Sequence, residues 1–275
     1  MTNAEDWESG VGRNWAAEWR RTDRSFANLT PRLLSAIAAL PGTDIVDVGC
    51  GAGELSLAVA DARPGARVLG IDISPDLLTA AAARARGRPN LAFALADASR
   101  WEPDRGRPDL YMSRHGVMFF ADPVAAFAHL ARVATPGAHL AFSCFRDRAE
   151  NPWASELAML FAASGGPLAD PRAPGPFAFS DKDYVAGLLG EAGWSDVVFE
   201  PVDFTYRAGE GANAVDDAMA LFQRIGPAAA ALRALPDETR EAAAAEMRRV
   251  LESHLSGDTV SFPAAAWIVT ARSTG

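Results

Sequence analysis

Lysine is almost missing from this chain: of 26 basic residues only Lys182 is a lysine, and the rest are arginines. Set beside the abundant alanine, that bias looks like a GC-rich coding preference, so little functional weight falls on any single arginine. Basic charge is short as a whole, since 35 Asp and Glu bring the formal net charge to −9. Nucleic-acid binders usually carry a basic surface that displaces counterions from phosphates, so this balance argues against such a partner. Cysteine is limited to Cys50 and Cys144. Two cannot form a disulfide framework, which points to a reducing compartment. No apolar stretch approaches the ~20 residues of a membrane span. The opening Met1–Asp6 is acidic and lacks the basic region and apolar run of a secretory signal. The chain reads as cytoplasmic, with neither nucleic acid nor membrane as partner.

What is present fits a soluble α/β protein. Hydrophobic residues make up 49% and charged residues 22% of 275 positions, enough for one domain with an ordinary core. Short β-branched runs alternate with alanine- and leucine-rich stretches in the first half. Strands are predicted at Asp44–Val48, Arg67–Asp72, Leu91–Leu95, Asp109–Met112 and His139–Cys144. Helices are predicted at Glu54–Ala62, from Pro75 to about Ala85, and from Pro123 to about Val133. Ser74-Pro75 and Asp122-Pro123 are cap-and-first-turn pairs. Strands alternating with helices of this length argue for parallel βαβ units. Further on, Gly165–Pro176 reads as a loop, Asp181–Ala192 as a helix and Val197–Tyr206 as a strand. Alanine-rich helices then fill Asn213–Leu255 before a last strand, Val260–Ala271. Two strands separated by helices suggest an antiparallel pair whose connection has grown into a lid.

The most informative segment is Asp47-Val-Gly49-Cys-Gly51-Ala-Gly53, between the first strand and its helix. Glycines there allow a tight turn and close ligand approach. The spacing is G-x-G-x-G, one residue shorter than the dinucleotide fingerprint. Asp47 beside the turn suits a cation or ammonium group better than a pyrophosphate. Asp72, at the end of the second strand, can accept hydrogen bonds from ribose hydroxyls. Asp97, after the third, can accept one from an exocyclic adenine amine. All three lie at the carboxyl ends of the strands, where open α/β sheets bind ligands.

With these residues in order, Asp44 to about Ser143 resembles the core of class I S-adenosylmethionine-dependent methyltransferases. It is closest in style to bacterial small-molecule enzymes that methylate quinones, phosphoethanolamine or aconitate. Tyr111–Phe120 after the fourth strand and Thr135-Pro-Gly137 before the fifth match as well. The resemblance implies a Rossmann-like, doubly wound seven-stranded sheet with its last strand antiparallel and helical cap insertions. It divides a single domain into an N-terminal helical lid (1–42), a cofactor-binding core (43–145) and a substrate cap (146–180 and 209–256). It implies S-adenosyl-L-methionine as cofactor, S-adenosyl-L-homocysteine as product and a small-molecule acceptor. The implied cofactor contacts are Asp47, Gly49, Gly51, Gly53, Asp72, Ile73, Asp97 and Ala98, with Ser113, Arg114 and Trp15. Nothing in the sequence decides the oligomeric state; a homodimer is one open arrangement.

Ser113, Arg114 and His115 are expected to border the methyl group, with Met118, Phe119 and Phe120 behind. His115 is the candidate general base, because a neutral imidazole takes a proton from a hydroxyl or amine. The alternative is that it only hydrogen-bonds cofactor or backbone. Oxygen is slightly favoured over nitrogen or carbon as acceptor. Trp15 and Trp19 share a helix face, either packed on the sheet or closing over the cofactor with Arg20 or Arg24 on its carboxylate. Ser113-Arg-His-Gly116 replaces the Pro-Pro-aromatic tetrapeptide of base N-methylating enzymes. No iron–sulfur C-x₃-C-x₂-C run exists, and no carboxylate cluster suggests a metal. The competing readings are a nicotinamide-dependent oxidoreductase and a non-catalytic S-adenosylmethionine-binding protein.

Overall fold

The structure, a computed structural model, describes residues 7–160 and 170–275. Positions 161–169 of the expected cap and loop, and positions 1–6 of the expected lid, lie outside the described residues. The early strands are β1 (Asp44–Val48), β2 (Arg67–Asp72), β3 (Leu91–Leu95), β4 (Leu110–Arg114) and β5 (His139–Phe145). The later ones are β6 (Trp194–Glu210), β7 (Leu255–Ser256) and β8 (Thr259–Ser273). The sheet order is β3-β2-β1-β4-β5-β8-β6, with β1 to β5 parallel and β8 antiparallel to both β5 and β6. Among the described residues the sheet has eight strands: the seven expected, with an antiparallel β8, and the two-residue β7 pairing with β8.

The interleaved helices start where their capping residues predict. Helix α1 spans Gly10–Ala17, α2 Trp19–Ser25, α3 Thr30–Ala38 and α4 Glu54–Ala62. Helix α5 (Pro75–Arg84) begins with the Ser74 hydroxyl accepting from the Leu77 N–H, and α6 (Pro123–Val133) with Asp122 accepting from Ala125. In both, proline occupies a first-turn site whose N–H has no partner anyway. Helices α7 (Pro152–Met159) and α8 (Lys182–Glu191) follow β5. Phe127, Phe142 and Trp194 are buried beneath the sheet's helices, and the Trp194 Nε1–H donates to the Phe127 carbonyl at 3.0 Å.

The last strands are longer than their apolar pattern predicts. β5 ends opposite Ala266, yet β6 and β8 remain paired from Val202 opposite Ala266 to Glu210 opposite Thr259. A two-stranded ribbon therefore projects beyond the sheet. Pro201 on the edge strand, and Pro263 where β8 has no neighbour on its β5 side, fit this because neither needs to donate to a ladder. The ribbon carries α9 (Ala214–Arg224), α10 (Gly226–Ala234) and α11 (Asp237–Ser253). These fold back towards the N-terminal helices. Arg21 Nε donates to Asp217 at 2.6 Å, Arg24 pairs with Asp217 at 2.5 Å, and Arg224 pairs with the buried Glu18 at 2.9 Å. The two coverings are thus tied to each other over the carboxyl ends of the strands.

Candidate active site

Sheet order and strand polarity put the ends of β1 to β5 along one rim, and a cavity of ≈ 940 Å³ follows it. That is near the top of the roughly 300–1,000 Å³ range of small-molecule sites. Its β2–β3 end is lined by Asp72, Ile73, Asp97 and Ala98, and its middle by Asp47, Gly49 and Gly51. Arg114 and His115 border it from β4, and Trp15 from α1. Its far end runs under Phe145 of β5, Trp153 of α7, Tyr206 of β6 and Phe222 of α9.

The glycine turn is built by backbone geometry. Gly49, Gly51 and Gly53 all have positive φ (64°, 55° and 83°), the region where a Cβ is strained. A Cβ on Gly51 would meet nothing within 4 Å and would stand in open space. On Gly49 it would lie 3.0 Å from the Gly116 Cα, so the β1 and β4 turns pack glycine against glycine. Gly53 departs from its expected role, because it does not line the cavity. Its missing Cβ makes room for the Phe93 ring, 2.9 Å from the ideal Cβ position. The third glycine is a packing residue at the start of α4.

Asp72 is nearly buried. Its two oxygens accept from the Gly51 and Ser74 N–H groups, each at 2.8 Å, so the strand end holds the turn in place. Burial raises its pKa from the ordinary carboxylate value, and N–H bonds from Ser74, Gly51 and Ile73 oppose the shift. Asp97 accepts from both the N–H and the hydroxyl of Ser99 (2.9 and 2.7 Å) and pairs with Arg100. Asp47 is 1% exposed; one oxygen takes the Ser56 hydroxyl at 2.5 Å and the other, Oδ1, has no partner. Burial pushes its pKa up to about 7, against the Ser56 hydrogen bond and the Arg114 charge. A buried carboxylate with a free oxygen favours a cationic ligand and repels a pyrophosphate.

Ser113 departs from expectation as well. It is fully buried and does not line the cavity. Its hydroxyl donates to the Val48 carbonyl at the end of β1 at 2.7 Å and accepts from the Gly116 N–H at 3.1 Å. Arg114 is already engaged: it binds Thr30 at 3.0 Å, Asp23 at 3.3 Å and Glu54, and lies over the Phe26 ring. Arg20 and Arg24 do not reach the cavity. Arg20 lies over the Trp19 ring, and Arg24 serves Asp217 and the Ala208 carbonyl.

His115 holds an unusual backbone conformation, φ 60°, which non-glycine residues adopt at a cost that recurs at functional sites. Its N–H donates to the Ser143 carbonyl at 3.1 Å, and its Nδ1 shares a 2.8 Å hydrogen bond with the Ser143 hydroxyl. Phe145 and Phe26 flank the ring at 4.2 and 4.9 Å. Nε2 is buried with no partner. Burial, aided by the Arg114 charge, lowers its pKa to about 3, so the imidazole is neutral at ordinary pH. His129 and His254 are engaged elsewhere, with the Trp101 carbonyl and Glu156.

Three participants escape a reading of the sequence. Ser143 is visible only as a hydroxyl inside an apolar strand. Asp23 and Glu54 look like ordinary helix acids, yet they converge on Arg114 from separate elements. Among the described residues no group of three or more His, Cys, Asp or Glu could hold a metal ion, and no helix is long and apolar enough to cross a membrane.

Comparison with known proteins agrees on the class of chain. A family described as a methyltransferase domain matches residues 45–137. Demethylmenaquinone methyltransferase of Beutenbergia cavernae is 30% identical over 174 residues, covering 60% of this chain and 70% of that protein. Trans-aconitate 2-methyltransferase of Methylobacterium radiotolerans is 36% identical over 124 residues, 45% of each chain, so the match spans under half of that relative. The crystal structure of the YcgJ protein from Bacillus subtilis superposes with a TM-score of 0.58 at 16% identity, covering 90% of this chain and 98% of that one.

Proposed function

Since this chain belongs to the class I S-adenosylmethionine-dependent methyltransferases, we propose that its cavity binds S-adenosylmethionine along the β1–β3 rim and that His115 receives the proton of a small-molecule hydroxyl as it is methylated. The carrying observation is that one cavity joins the glycine turn and Asp72 to the unpartnered His115 Nε2. The residues present fit the cofactor: Gly51 leaves open space where a side chain would stand, and Asp47 Oδ1 is a buried acceptor without a donor. Asp72 has lone pairs left for ribose hydroxyls beside its backbone N–H bonds. Asp97 would accept from the adenine amine, Ile73 and Ala98 would pack on the base, and Trp15 would cover the ligand; all four line the cavity. Asp47 balances its positive charge, and Arg114 offsets the surrounding carboxylates instead of clamping one.

When bound, S-adenosylmethionine supplies a methyl group already activated on a sulfonium. That group would pass to the acceptor oxygen with the sulfur keeping the electron pair, and the residues of this chain would hold donor and acceptor in line and take up the released proton. The hydroxyl becomes strongly acidic as its oxygen gains the methyl, so a weakly basic imidazole suffices to take the proton. His115 therefore acts late and mainly orients the hydroxyl, with Ser143 holding its ring. Alignment of acceptor and methyl contributes up to ~7–11 kcal/mol in ideal cases. The short glycine spacing and Asp47 weigh against a nicotinamide dinucleotide in this place.

Titration calorimetry tests the binding side: heat with S-adenosylmethionine and none with NAD⁺ is expected, and the reverse would overturn the reading. Release of S-adenosylhomocysteine in the presence of an acceptor separates an enzyme from a non-catalytic binder. Asp47 adds a pH signature. A cationic ligand binds the ionised carboxylate, so affinity should fall below pH 7, towards tenfold per pH unit. Asp47→Asn should bind more weakly and lose that dependence; an Asp47→Asn protein whose affinity still fell below pH 7 would remove Asp47 from the site.

A further inference from the structure

We infer that the acceptor is an uncharged, flat aromatic compound presenting a hydroxyl, and that polycarboxylates are refused; this rests on the methyl-transfer reading above. The first support is charge. Among the described residues lining the cavity Arg114 is the one cationic side chain, and Asp23, Glu54 and Thr30 already hold it. Asp23, Asp47, Asp72, Asp97 and Asp122 border the same space. Positions 1–6 and 161–169 contain no Lys, Arg or His in the sequence, so no basic side chain is contributed from there. A buried carboxylate without a cation costs several kcal/mol, and a tricarboxylate would meet this cost repeatedly.

Shape is the second support. The end of the cavity under β5 is lined by aromatic rings, of which three form a stacked run and the others meet it tilted or edge-on. Trp153 and Tyr206 stack at 4.9 Å and 12°, and Tyr206 and Phe222 are tilted by only 24° at 6.3 Å. Phe26 and Phe145 continue this wall to the His115 ring. A wall of ring faces and edges favours another flat ring, which can stack on a face or meet an edge, over a saturated one of equal size.

Polar groups supply the third. The Tyr206 hydroxyl is matched with Ser25, and burial raises its pKa to about 12, so it stays neutral. The Trp153 Nε1–H is used by Asn151 at 3.2 Å. His115 Nε2 is the orphaned polar atom where this wall meets β4. With Nδ1 donating to Ser143, Nε2 accepts and matches a hydroxyl on an otherwise apolar ligand; Trp7 Nε1–H, on a ring packed against Trp15 and Phe119, is a second buried polar atom of the cavity lining without a partner.

The test titrates three probes into the full-length protein saturated with S-adenosylhomocysteine: 2-naphthol, its saturated counterpart 2-decalol, and trans-aconitate. The expectation is that 2-naphthol binds at least tenfold more tightly than 2-decalol, while trans-aconitate gives no heat. Tyr206→Leu and Phe222→Leu should each weaken 2-naphthol by roughly tenfold, the scale of one aromatic pair, and leave S-adenosylhomocysteine binding unchanged. Saturable trans-aconitate binding, equal affinity for the two bicyclic alcohols, or no 2-naphthol binding to a protein that does bind S-adenosylhomocysteine would each overturn the inference. Absence of S-adenosylmethionine and S-adenosylhomocysteine binding, with 2-naphthol still bound, would instead defeat the methyl-transfer reading and leave the acceptor chemistry standing.

Discussion

Asp72→Ala is expected to weaken S-adenosylmethionine binding by roughly 100-fold or more. Two hydrogen bonds from ribose hydroxyls to a carboxylate contribute about 1.5 kcal/mol each at the low end, and about 3 kcal/mol is two decades of affinity. The loss has a second component. Asp72 also accepts the Gly51 and Ser74 N–H groups, so alanine leaves both without a partner and loosens the turn. Asp72→Asn separates the two effects, because an amide oxygen can still hold one of these donors while the charge is gone. Its affinity should fall between wild type and alanine. Calorimetry measures both variants, with thermal melting to establish folding. An Asp72→Ala protein that melts normally and binds with unchanged affinity would remove Asp72 from the site.

His115→Asn is expected to lower kcat by roughly 10²-fold, the low end of the range for loss of a general base because a weakly basic His115 mainly orients the hydroxyl, with S-adenosylmethionine affinity unchanged. Asparagine is the informative substitution because it tolerates positive φ and can still reach a hydroxyl partner. A merely structural histidine would show its loss in stability, with kcat retained in the folded fraction. The pH behaviour gives an independent reading. With its pKa near 3, His115 remains neutral through the usual assay range, so the rate should show no acid limb near pH 6.5 arising from it. Stability responds differently. In the unfolded chain histidine titrates at about 6.5, so between that value and pH 3 the unfolded state binds a proton that the native state does not. Its contribution is therefore complete above pH 6.5 and is lost as pH falls towards 3. His115→Asn should flatten this part of the stability profile in denaturant titrations; an unchanged slope would contradict the buried, neutral assignment.

Acidity shapes both expectations. The net charge of −9 first argues against nucleic acid, and in three dimensions part of it gathers around the cavity. There it suits a cationic cofactor and an uncharged acceptor. Among the described residues, the one arginine lining that space is neutralised by acids brought from α2 and α4.

Much of this protein is legible without coordinates because it rests on local rules. The period-2 and period-3.6 patterns, the Ser74-Pro75 and Asp122-Pro123 caps and the glycine turn each act within a few residues. Parallel βαβ units then leave one arrangement in which Asp47, Asp72 and Asp97 share a rim. The long β6–β8 ribbon was only partly visible, since its outer half leaves the sheet and loses the burial that marks a strand. The roles of individual side chains were less legible still. Gly53 and Ser113 sit in the right motif, yet one serves a phenylalanine ring and the other the β1 carbonyl, because side-chain direction depends on neighbours distant in sequence.

By itself, then, the sequence determined the sheet, its caps and the acidic rim, all set by periodicity and backbone conformation. Only the tertiary structure decided which groups face the cavity free of partners. Ser143 holds one nitrogen of His115 and leaves the other bare. Arg114 is spent on Asp23 and Glu54, and rings from the N-terminal helices, β5, the cap and β6 meet in one wall. Each depends on residues 28 to about 200 positions apart being brought into contact, and such contacts are products of packing that no local pattern encodes.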